Sequence, residues 1–190
     1  MRSAGSVKTL YKSVALILLA AQAAAAAGAD DLAVDVERNG GSFAVRAAAT
    51  VAAPVSLVWE VLTDYDNLSR FIPGMSQSRV QLRVANRVLV EQKGEARFLV
   101  FSYPIEVRLE VQEAPRDWIA SRAVGGNLKR MNGRYELHPQ GANLRLSYSG
   151  VMEPDFELPP VIGTLAVRGM VEEQFAAMVA EIERRASLAR

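Results

Sequence analysis

The stretch that decides the fold is Ala53-Pro54-Val55-Ser56-Leu57-Val58-Trp59-Glu60-Val61-Leu62-Thr63-Asp64-Tyr65-Asp66-Asn67-Leu68-Ser69-Arg70-Phe71-Ile72-Pro73-Gly74. A small-residue strand, with Phe43, Val45, Ala47, Ala49 and Val51 on one face by the period of two, runs into it. Pro54 suits the first turn of a helix, which the apolar stripe Val55, Val58, Trp59 and Leu62 carries to about Thr63. Asp66 or Asn67 then caps a second short helix through Phe71, and Pro73-Gly74 ends it.

Upstream, Arg2, Lys8 and Lys12 precede the apolar run Val14–Ala20 and an alanine tract, and Ala27-Gly28-Ala29 fits a small-x-small cleavage site. The apolar stretch falls short of the roughly 20 residues of a spanning helix. The reading is a signal peptide over residues 1–29 and export, to the periplasm of a Gram-negative bacterium. The leader holds three of the 22 basic residues and none of the 21 acidic ones, leaving 19 against 21 and a net charge of −2. That balance gives no reason to expect nucleic acid as a partner. With no cysteine, disulfides and thiolate metal sites are excluded, so the core alone must hold the domain.

Residues 30–42 read as an N-terminal arm, or as a first strand turning at Gly40-Gly41. Downstream of Gly74 the pattern is strand after strand. Ser78–Val84 and Val88–Lys93 flank a tight turn at Ala85-Asn86, and Gly94 reads as the next turn. Arg97–Gln112 reads as one long strand with a bulge or edge position at Pro104. Its first part, Phe98-Leu99-Val100-Phe101, is apolar on both faces. Trp118–Val124, Leu128–His138 and Asn143–Met152 follow, and the proline-rich Glu153–Pro160 is irregular. Val167, Val171, Phe175, Met178 and Ile182 then form one helical stripe. One long helix laid across a single curled sheet leaves a space between them, and aromatic and methionine side chains suit its lining.

These features together resemble the START-like helix-grip superfamily (SRPBCC), in particular its polyketide cyclase/dehydrase and coenzyme Q-binding START-type branch. The resemblance spans about Phe43 to Ala186. It is carried by Ala53–Gly74, by Met131-Asn132-Gly133-Arg134-Tyr135-Glu136-Leu137 running into Leu144–Tyr148, and by Pro154-Asp155-Phe156-Glu157-Leu158-Pro159 before the last helix. It implies an α+β helix-grip fold over residues 43–190: a curved antiparallel β-sheet wrapped around a long C-terminal helix, with two short helices after the first strand.

The inventory of reactive groups is thin. His138 is the only histidine and sits at a strand end, a surface position. There is no G-x-S-x-G elbow, phosphate loop or cofactor motif, so no catalytic residue, cofactor or metal is assigned. Strand parity instead gives an inward lining of Phe101, Tyr103, Val107, Trp118, Met131, Tyr135 and Tyr148, joined by Val171, Phe175 and Met178 of the last helix. Phe71 is expected at the mouth. Arg122, which shares parity with Trp118, is a candidate for an anionic or carbonyl group. The expectation is an exported, non-enzymatic protein that binds or shuttles an apolar small molecule or lipid, such as a quinone or a polyketide-like molecule, with transient membrane contact. A cyclase or dehydratase acting by positioning is the alternative, and an interaction domain with a filled interior is the second. The oligomeric state is open.

Overall fold

The computed structural model describes residues 31–98, 101–156, 158 and 160–189, with backbone alone at 98, 101, 160 and 161. The expected leader and its cleavage site lie outside the described residues, as do Leu99 and Val100.

Residues 33–39 form a strand, β1 (Ala33–Asn39), joined at Gly40-Gly41 to β2 (Ser42–Val51). Gly40 takes φ 62°, a left-handed conformation that glycine adopts freely. The chain then leaves the sheet for α1 (Val55–Thr63) and a 3-10 helix, Tyr65–Arg70. It returns as β3 (Met75–Val84), β4 (Arg87–Phe98), β5 (Phe101–Ala114), β6 (Trp118–Gly126), β7 (Leu128–Gln140) and β8 (Asn143–Pro154). These pair as one antiparallel meander, and β8 closes back on β2 to give the order β1-β2-β8-β7-β6-β5-β4-β3. The sheet curves without closing, as the helix-grip fold requires.

The corner Ala53–Gly74 is organised by its own polar groups. The Pro54 carbonyl accepts from the N–H groups of Leu57 and Val58 and starts α1. Asp64, rather than Asp66 or Asn67, stands at the N-cap of the 3-10 helix, and its carboxylate accepts from the Asn67 amide at 2.7 Å. Asp66 is engaged elsewhere: it accepts the Val80 N–H at 2.8 Å and ties the corner to β3. Val58, Val61, Leu62, Tyr65 and Leu68 are buried beneath.

Two expectations about strand ends are corrected. Gly94 is no turn; it lies inside β4, paired with Met75 on one side and Ile105 on the other. A Cβ there would run into the Gly74 carbonyl and sit 3.1 Å from Met75 Cα, so the glycine serves a close backbone approach. Arg97 belongs to the end of β4, not to the start of the following strand, and the β4–β5 ladder ends with Phe98 paired to Phe101. Pro104 sits within β5 opposite Glu95, beyond the last β5–β6 pair at Val107 and Gly126. Its carbonyl accepts from the Asn127 amide at 2.7 Å, so its ring nitrogen also faces the side where no ladder runs and the missing N–H costs no bond.

The last helix, α2 (Pro160–Leu188), is 29 residues long, about 43 Å. It packs on β1, β2, β4 and α1. Val167, Phe175, Met178, Val179 and Ile182 are buried against the sheet. Two apolar clusters result. One gathers α1, the 3-10 helix, the middle of the sheet and the C-terminal half of α2. The smaller joins Phe43, Val45 and Ala96 to Leu158 and Val167.

Candidate ligand-binding cavity

Between sheet and α2 lies a cavity of about 270 Å³, bordered by residues of both clusters. That is just below the range for small-molecule sites, about 300–1,000 Å³. Val90, Val107, Leu109 and Val111 of β4 and β5, with Ile119 of β6, form one apolar wall. Met131, Tyr135, Tyr148 and Met152 of β7 and β8 form a second, and Val171, Phe175 and Met178 of α2 cover the space. The Pro73-Gly74 end of the corner meets α2 at one border, where Gln174 Nε2 donates to the Pro73 carbonyl at 3.3 Å.

The sequence-derived lining divides. Val107, Met131, Tyr135, Tyr148, Val171, Phe175 and Met178 border the cavity. Phe101 opens β5, and its side chain is outside the described part. Tyr103 stands behind the wall, its ring stacked on that of Phe156 with centroids 4.1 Å apart, and Phe156 takes the place at the cavity.

Trp118 and Arg122 are corrections. In an antiparallel pair, directly opposed residues share a face. Leu109 and Val111 point inward and are opposed by Ala123 and Ser121, so the inward residues of β6 are Ile119, Ser121 and Ala123. Trp118 and Arg122 therefore face out. The Trp118 ring lies under the Arg134 guanidinium at 4.1 Å, and Arg122 bonds its cross-strand partner Glu110 at 2.5 Å. Phe71 also stands off the cavity. It lies beneath Arg185 in a surface cluster with Asp64, Arg70 and Glu181, while its neighbour Ile72 lines the space.

Parity also carries residues that the sequence reading passed over. Val88 and Val90 are buried, so Gln92 on the same face of β4 turns inward and reaches Ser78 Oγ at 3.4 Å. Tyr65 lines the cavity with its ring and donates its hydroxyl to Glu113 at 2.9 Å. Glu113 is itself buried and takes two bonds from Arg83, at 3.1 and 2.9 Å. Burial first, and then the Glu113 charge, push the Tyr65 phenol far above its ordinary value. His138 is exposed at the outer surface, 3.7 Å from Glu136.

A family model described as polyketide cyclase / dehydrase and lipid transport matches residues 51–179, most of this framework. The chain belongs to that family. Among curated proteins, none matches it in sequence. Solved structures with the same fold include the Zhui aromatase/cyclase from a Streptomyces species, at 21% identity and TM-score 0.60, covering 76% of this chain and 95% of that one. A STAR-related lipid transfer protein from Xanthomonas axonopodis matches at 14% identity and TM-score 0.60, over 80% of this chain and 99% of that one. A START superfamily protein from Mycobacterium smegmatis matches at 15% identity and TM-score 0.60, over 77% and 99%. At these identities the likeness is one of fold, and within it the residues lining this polyketide cyclase-family cavity are the chain's own.

Proposed function

We propose that this protein is an exported carrier that holds one small apolar molecule, of quinone, single-chain lipid or polyketide-like character, between its sheet and α2. The observation that carries the reading is the composition of the cavity wall: valine, leucine, isoleucine, methionine and aromatic side chains, with a few polar groups among them and the charged Lys93 and Glu95 only at the border. A site of this size suits a single ring system or a single chain better than a two-chain lipid. The membership in a family described by both cyclisation and lipid transport is compatible with binding as the shared element. Export rests on the basic, apolar and small-residue order of residues 1–29.

The test is purification from the periplasm, followed by native mass spectrometry and organic extraction. A reproducible apolar mass bound in one-to-one ratio to a chain that begins near residue 30 is expected. A protein that copurifies with no such mass and takes up none from a lipid extract refutes the carrier reading. A full-length chain confined to the cytoplasm refutes export.

A further inference from the structure

The cavity holds two hydroxyls that no group among the described residues uses. Tyr135 of β7 and Tyr148 of β8 are directly opposed across the strands. Their ring centroids are 4.8 Å apart with planes tilted by 47°, and Tyr135 also faces Phe175 of α2 at 6.3 Å. Among the described residues, neither hydroxyl has a hydrogen bond to protein, and neither oxygen is sealed from the cavity. Tyr65 is the contrast: its hydroxyl is already committed to Glu113.

Two glycines fix where the Tyr148 hydroxyl lies. Gly133 and Gly150 are partners across β7 and β8. A Cβ on Gly133 would come within 2.7 Å of Tyr148 Cε2 and 2.8 Å of Cζ, and one on Gly150 within 2.5 Å of Oη. Neither glycine has a positive φ, so the backbone does not require glycine at either position. At Gly133 what requires it is the phenol ring lying across it, and at Gly150 the same ring together with the Asn132 carbonyl, 2.7 Å from an added Cβ. Ser121 is opposed to Gly133 and continues this inward row onto β6.

Among the described residues, no charge competes inside. Of the described residues bordering the cavity, Lys93 and Glu95 are charged, and both lie out of phase with the inward Gln92 and Ala96. Lys93 pairs with Glu106 at 3.4 Å, and Glu95 accepts from Ser102 at 2.5 Å, both on the outer face. Burial raises both phenols, Tyr148 to about 12. For Tyr135 the Tyr148 hydroxyl beside it adds to the rise. Each therefore remains a neutral O–H donor at physiological pH.

We propose that Tyr135 and Tyr148 form the recognition point of this cavity, and that its ligand is an uncharged apolar molecule whose carbonyl oxygen accepts from these two hydroxyls. The inference rests on the carrier reading of the same cavity. An sp² oxygen offers two lone pairs, one for each phenol, and brings no proton that would need an acceptor. A carboxylate there would lose its hydration with no cation to replace it. A plain hydrocarbon would leave two buried donors unpaired.

Three naphthalenes of similar shape separate these cases: 2-acetylnaphthalene, 2-ethylnaphthalene and 2-naphthoate, titrated calorimetrically into protein stripped of apolar molecules on a hydrophobic resin. The acetyl compound should bind tighter than the ethyl compound by about fivefold for each hydroxyl engaged, and naphthoate weakest. Tyr135→Phe and Tyr148→Phe should each reduce that preference about fivefold, and the double variant should abolish it. Ethylnaphthalene should bind the Phe variants at least as tightly as the unsubstituted protein, because each substitution removes a donor that it leaves unpaired, and its binding also shows that the variants are folded. Gly133→Ala keeps both hydroxyls but displaces that of Tyr148, and should lower the preference too. Equal Kd values for the acetyl and ethyl compounds, a double variant that keeps the preference, or tightest binding of naphthoate overturns the inference and leaves the carrier reading standing. Failure of all three to bind, in a protein that also copurifies with no apolar mass, overturns the carrier reading and this inference with it.

Discussion

Replacing Gly94 by alanine tests how the corner is seated on the sheet. Glu95 donates its N–H to the Gly74 carbonyl at 2.8 Å, and a Cβ on Gly74 would in turn meet Glu95 O at 2.9 Å. The two backbones are as close as glycine permits. In Gly94→Ala the methyl group would overlap the Gly74 oxygen well inside 3.0 Å, a separation that real Cβ atoms do not show. The neighbour is backbone, held by the φ of 75° at Gly74, so no side chain can swing aside. The corner must lift. Overpacking of this kind costs about 1–3 kcal/mol, and the Glu95–Gly74 hydrogen bond adds about 1 kcal/mol. Alanine in a strand returns about 0.5–1 kcal/mol relative to glycine. The net is a loss of about 2 kcal/mol. With a urea dependence of about 1–3 kcal/mol per molar, the unfolding midpoint should fall by roughly 1 M. Gly169→Ala is the matched control: Gly169 lies in α2 with nothing within 4 Å of its added Cβ. It should gain about 0.5–1 kcal/mol. An unchanged or raised midpoint for Gly94→Ala, with Gly169→Ala behaving as stated, would refute the close-approach argument.

Further predictions concern charge. Glu113→Ala removes the acceptor of both Tyr65 and Arg83 in a buried position and should cost about 2 kcal/mol, read as a lower Tm by circular dichroism. Bonds from Arg184 and Arg185 hold the Glu181 carboxyl at about 2, below its ordinary 4.5. The depressed value means that the stabilisation is complete above about pH 4.5 and is lost as pH falls toward 2. Arg184, the first of the two donors, is 58% exposed and its bond is screened by solvent, so Glu181→Gln should flatten the acid limb of a urea-midpoint profile by about 1 kcal/mol. Arg122→Ala should leave acetylnaphthalene binding unchanged and stability within about 0.5 kcal/mol, because the side chain bonds Glu110 on the outer face. A loss of binding would put Arg122 back in the cavity.

Where strand parity had an unambiguous anchor, the sequence carried the site. Ile105, Val107, Leu109 and Val111 alternate with charged residues, so β5 could be phased, and Tyr135, Tyr148 and the α2 stripe were placed the same way. On β6 the largest residue misled. Trp118 looks like a core residue, but the register with β5 turns Ile119 and Ser121 inward, and cross-strand register is not written in one strand's residues. Gly94 failed for a related reason. A glycine between two strand-like runs signals a turn in sequence, whereas here it answers to a carbonyl twenty residues away, at Gly74. The pairing of Gly133 with Gly150 beneath Tyr148 is equally non-local, and no period in either strand announces it.

The order of elements along the chain also sets how the molecule assembles. β2 finds its partner in β8, from Phe43 against Met152 to Val51 against Leu144, and α2 packs against β1 and β2 from the far end of the chain. The meander β3 to β8, which carries both walls of the cavity, can grow by local hairpins, but the space stays uncovered until α2 packs back on the sheet. Pairings so distant in sequence close slowly, on the millisecond-to-second scale of β-rich domains. The binding site is thus the last part of the protein to exist, and an apolar molecule that enters it favours the completed fold over every earlier form.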